Sequence, residues 1–90
     1  MKKITVFVAG FEAKSAVSGW SWFFNKSDAD KNIAEIKNDI VGYPNVITYE
    51  GEVSVEIPNS IDESSEYGKE YINGEVEMFL EEHDFEKAFL

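Results

Sequence analysis

Ninety residues are enough for one domain with a single core, and 43 % apolar with 14 % aromatic residues excludes a disordered chain despite a net charge of −10. The absence of cysteine excludes a disulfide framework, a thiol nucleophile and a thiolate zinc site. Every fixed cation is a lysine, so the guanidinium forks that usually grip phosphate are missing. Such a chain repels nucleic acid and anionic membranes, and its expected partner is a basic, nucleic-acid-binding protein.

The charge is unevenly placed. Residues 50–90 hold thirteen of the eighteen acids and two of the eight lysines, whereas the first 49 residues are nearly neutral. Met1-Lys2-Lys3 followed by an apolar run superficially resembles a signal peptide. That run is short and is interrupted by Glu12 and Lys14, which suits a strand better. No segment approaches the ~20 apolar residues of a membrane span, and a cytoplasmic protein is the expectation.

Ile4 to Ala9 reads as a strand apolar on both faces, hence central in its sheet. Gly10 to Ser18 is a connection or a loose strand end. Gly19 to Phe24 is a second strand whose alternation sets Trp20, Trp22 and Phe24 on one side. These rings are expected to pack on the helix that follows, or alternatively to form a binding rim. Ser27 is expected to cap that helix, with Asp30 three residues on and an apolar stripe of Ala29, Ile33, Ile36 and Ile40, ended by Gly42 and Pro44. Asp28, Asp30, Asn32 and Asp39 also have the spacing of a calcium loop, but Ile33 occupies the position of the obligatory turn glycine, so a helix is the better reading and no metal site is expected.

Val46 to Ile57 is extended, with Val53, Val55 and Ile57 on a buried side and Glu52, Ser54 and Glu56 on the other; Gly51 marks a bulge or a hairpin tip. Pro58 to Ser65 is a polar connection. In the last third Asn73-Gly74 is a hairpin signal. Against it, Glu63, Glu66, Glu70, Glu77, Glu81 and Asp84 fall on one helical stripe opposite Ile72, Val76, Phe79 and His83, which favours a helix at least from Glu75. Gly68 and Gly74 would weaken it by ~1 kcal/mol each. The expected whole is one α+β domain over residues 1–90, a small antiparallel or mixed sheet of three to four strands on one or two helices.

His83, the single histidine, has no nucleophile placed around it, and there is no glycine-rich phosphate loop; a non-enzymatic protein without a cofactor is expected. The acids carry the functional reading. Glu50, Glu52 and Glu56 lie ~6.6 Å apart, or a multiple of that, on a strand. Glu63, Glu66, Glu70, Glu77 and Glu81 recur at helical turns of ~5–6 Å. One-signed rows at such spacing imitate a phosphate backbone to a basic groove, whereas a surface built for solubility mixes lysine with glutamate.

The order "ITVFVAGF", "GWSWFF", "SDADKNIAEIKNDI" and "TYEGEVSVEIP" resembles the first domain of the ArdA-type antirestriction proteins, over about sixty percent of the chain. That resemblance implies an acidic DNA mimic that occupies a type I restriction enzyme, although the chain is much shorter than that family. As a class, small acidic phage anti-CRISPR proteins are equally similar. The expectation is therefore a stoichiometric inhibitor of a host defence nuclease, with Glu50, Glu52, Glu56, Glu63, Glu66, Glu70, Glu77 and Glu81 as phosphate surrogates. The alternative is a structural or regulatory interaction module that docks through Trp20 and Trp22. Oligomeric state is left open by the sequence.

Overall fold

A computed structural model describes residues 1–13, 18–42 and 46–82. The chain runs β1 (Lys2–Ala13), β2 (Ser18–Phe23), α1 (Lys26–Asp39), β3 (Val46–Ile57) and α2 (Glu66–Glu82). The three strands form an antiparallel sheet in the order β2-β1-β3, an α+β fold with the expected apolar strand at its centre. β1 is longer than the run Ile4–Ala9, because its alternation continues through Phe11 to Ala13. Much of the stretch expected as a connection thus belongs to β1; residues 14–17 lie outside the described residues.

Register explains which side chains meet. Ile4, Val6, Val8 and Gly10 stand opposite Val55, Val53, Gly51 and Tyr49, and paired residues share a face. That face carries the core: Val6, Val8, Val53, Val55 and Ile57 bury against Ile72 and Val76 of α2, with Tyr49 among them. Each such side chain is worth ~1.5–3 kcal/mol in transfer from water. The pairing of β1 with β3 is uninterrupted from Lys2–Ile57 to Ala13–Val46, so Gly51 is neither a bulge nor a hairpin tip. The opposite face carries Phe7, Phe11 and Phe23, all half-buried. There Ala9 and Ala29 are fully buried, the two small residues that let α1 approach the sheet.

Two helix starts differ from the expectation. α1 begins at Lys26 with Asn25 as its N-cap, whose carbonyl accepts the amides of Asp28 and Ala29; Ser27 is already in the first turn. Asp30, freed from a capping box, turns to Lys26 and to β3. α2 begins at Glu66, and the Asn73-Gly74 pair is helical. Its cap is Ser65, whose Oγ accepts the Gly68 amide at 3.0 Å, while the Ser65 carbonyl accepts the Lys69 amide at 2.9 Å. Asp62 prepares that turn by accepting the Ser64 amide and hydroxyl at 2.9 and 2.7 Å. Two hydrogen bonds from Ser64 hold the Asp62 carboxyl below its ordinary range. Ile33, Ile36 and Ile40 are half-buried as the α1 stripe required, Gly42 takes a positive φ of 91° just after the helix, and Pro44 lies outside the described residues.

Candidate functional site: two acidic rows and an open sheet edge

The acids expected to form one surface are divided by the sheet. Glu50, Glu52 and Glu56 sit opposite Ala9, Phe7 and Lys3, on the face shared with α1. Glu66, Glu70, Glu77 and Glu81 are exposed on α2, which packs on the other face. The two rows therefore point away from one another, a correction that follows from α2 burying Ile72 and Val76 against Val53, Val55 and Ile57.

The strand row is itself uneven. Glu52 and Glu56 are exposed, and Lys3 stands opposite Glu56 in register. Glu50 is not a solvated phosphate surrogate: it is partly buried under α1, and its Oε2 is buried without a hydrogen-bond donor. The groups facing it are all on α1, namely Asp30, Lys26 and Lys37. A hydrogen bond to Asp30, burial and the Asp30 charge push the Glu50 carboxyl up. The same bond, together with Lys26, holds Asp30 down. Two carboxylates have no donor of their own, so the opposed shifts mean that a proton taken up by this pair is held preferentially by the less exposed Glu50. Lys26 donates to both Asp30 oxygens at 3.1 Å and is itself raised by that bond.

Glu63 is also neutralised locally. Lys2 Nζ donates to its Oε2 at 2.7 Å, which ties the start of β1 to the turn before α2 and holds the Glu63 carboxyl below its usual range. Among the described residues the ion pairs are this one and Lys26–Asp30. What stays uncompensated is the α2 row, in which Glu66–Glu70 and Glu77–Glu81 are each one turn apart, ~6 Å along the axis.

The tryptophans belong largely to the core. Trp20 and Trp22 are partly buried against the cluster shared with α2, so Trp22 meets the second helix rather than the one that follows it. Its Nε1 donates to Asn73 Oδ1 at 3.2 Å, and its ring meets Phe24 edge-on with centroids 5.1 Å apart. Trp20 also lines a shallow cleft shared with Asn32 and Ile36 of α1, but it stands opposite Gly10 on the core face, so the expected packing on the helix that follows gives way to packing on the cluster shared with α2.

Sequence reasoning missed one feature. Along the outer edge of β3, Ser54, Val55 and Glu56 line an open cleft of about 260 Å³ with Glu75, Met78 and Glu82 of α2. Glu75 and Glu82 flank the helical stripe, and nothing local in the sequence marks their proximity to Glu56. Among the described residues no group of three or more metal-ligating side chains is assembled, and the Asp28–Asp39 segment is continuous helix. No described helix is long and apolar enough to cross a membrane. His83 and Asp84 lie outside the described residues. Comparison of the chain with protein families, characterised proteins and solved structures finds no match.

Proposed function

We propose that this protein is a stoichiometric, non-catalytic inhibitor of a nucleic-acid-binding host defence nuclease, of the antirestriction or anti-CRISPR kind, acting in the cytoplasm. The observation that carries this reading is the exposed row Glu66, Glu70, Glu77 and Glu81 on α2. Its members contribute nothing to the core, and like charges one turn apart lower helix stability by a few tenths of a kcal/mol per pair. A row that costs stability without packing is what a basic groove would select. Glu52 and Glu56 extend the anionic surface to the other side of the molecule, while Glu50 and Glu63 act inside the fold through Asp30 and Lys2. Docking through Trp20 and Trp22 is less supported, because both rings already serve the core.

The test is a pull-down from bacterial lysate eluted on a salt gradient, followed by inhibition assays on the captured nuclease. Replacing Glu66, Glu70 and Glu77 with Gln should leave the fold intact and reduce inhibition, first through the association rate. Inhibition equal to the parent's across a range of salt would end the phosphate-mimic reading. Salt-insensitive binding lost in a Trp22 variant would support the aromatic module instead.

A further inference from the structure

We propose that the outer edge of β3 accepts an extended segment of the partner protein, one in which basic and apolar residues alternate. This rests on the reading of a basic partner and goes beyond it by giving the mode of contact. β3 is twelve residues long and stands at the edge of the sheet; among the described residues β1 is its sole strand neighbour. Its outward amides and carbonyls are therefore a template for another strand ~4.8 Å away.

The chemistry on either side of that edge specifies what fits. On the face away from α2 an added strand would run beside Glu52, Ser54 and Glu56, all exposed. Side chains directed there would be matched by lysine or arginine. On the α2 side, the cleft holds Met78, 53 % exposed, and Phe79, rimmed by Glu75 and Glu82. It has room for a large apolar side chain under an acidic rim. Because strand side chains alternate between faces, the two requirements combine into a period-two pattern, basic then apolar. A second copy of this chain is the wrong occupant. Two β3 edges paired antiparallel about Ser54 would bring Glu52 of one copy against Glu56 of the other on chains of net charge −10 each, and like charges facing across strands are destabilising. Recognition of this kind takes its affinity from main-chain hydrogen bonds and its selectivity from alternate side chains.

The probe is a blocked peptide of alternating lysine and valine, Lys-Val-Lys-Val-Lys-Val-Lys, with two relatives: one N-methylated at its valines and one at its lysines. All three have the same charge. Successive amides in a strand point to opposite edges, so one N-methylated peptide removes the donors that would face β3. We expect the parent peptide to bind and to slow amide exchange in the Ser54–Glu56 segment. One of the methylated peptides should bind at least tenfold more weakly, and Met78→Lys, at an exposed position, should weaken the parent peptide by a similar factor. Equal binding of all three, weakening with salt, would overturn strand addition while leaving the charge-based function standing. Absence of binding by the parent peptide, or protection confined to α2, would overturn it as well.

Discussion

Replacing Glu50 with Gln tests the shared proton between α1 and β3. At pH 8 the parent faces Asp30 with a second carboxylate, one oxygen of which is buried without a donor. A Gln side chain of nearly the same shape places an amide N–H there at every pH and removes the repulsion. A hydrogen bond to a charged acceptor is stabilising, though solvent screens one to an exposed Asp30. The variant should therefore melt a few degrees higher than the parent at pH 8, since ~1 kcal/mol moves the Tm of a domain of this size by ~4–8 °C. The sign with pH follows from the raised Glu50 carboxyl. Its stabilising contribution is complete below the unfolded value of ~4.3 and is lost as pH rises through the folded value. Near pH 4 the parent already makes the bond, so the advantage of the Glu50→Gln variant should vanish there. Thermal melts of parent and variant at pH 4 and pH 8 measure the difference directly. A Tm gain of equal size at both pH values, or a loss at pH 8, would refute the shared-proton account.

Gly68 and Gly74 should respond to alanine in opposite directions. A Cβ at Gly68 would run into the Asp62 carbonyl, so Gly68→Ala should cost ~1–3 kcal/mol in chemical denaturation. A Cβ added at Gly74 would meet no atom within 4 Å beyond its own helix, and Gly74→Ala should gain ~0.5–1 kcal/mol through helix propensity. Trp22→Ala, which opens the core and abandons Asn73, should cost about 3 kcal/mol, read in the same assay, without changing the salt dependence of partner binding. Lys2→Met should lower Tm more at pH 7 than at pH 3. The Glu63 carboxyl that Lys2 depresses lends stability above its unfolded pKa and loses it as pH falls through the folded value.

The strands were legible because their signal is local. Val53, Val55 and Ile57 alternate with Glu52, Ser54 and Glu56, and the structure buries the first set and exposes the second. The twofold apolarity of β1 likewise revealed its central place. Long-range matching was not legible. Gly68 and Gly74 look equivalent as weak helix residues, yet only Gly68 lies against another backbone segment. Ser65 caps α2, but the competing Asn73-Gly74 signal obscured the Ser64-Ser65 start. Twenty positions separate Asp30 from Glu50, and no periodicity joins them. The acidic stripes were each visible, but whether they shared a side depended on which sheet face α2 would cover. That was decided by Val53, Val55 and Ile57 meeting Ile72 and Val76, a tertiary choice that the charges do not encode.

The ladder between β1 and β3 also governs how the chain reaches this state. Each of its rungs joins residues more than thirty positions apart, with β2 and α1 spliced between the two strands. Neither strand can be zipped from a tight turn, so the loop must be closed before any rung is rewarded. β2, by contrast, pairs with β1 from nearby in sequence, and α1 can form on its own submicrosecond timescale. These local steps, α1 and the β1–β2 hairpin, are expected to precede the docking of β3, which arrives with α2 to complete the sheet and its core together. The long-range β1–β3 ladder is thus the step expected to limit the folding rate, and until it forms the centre of the sheet, β1, is exposed along one edge.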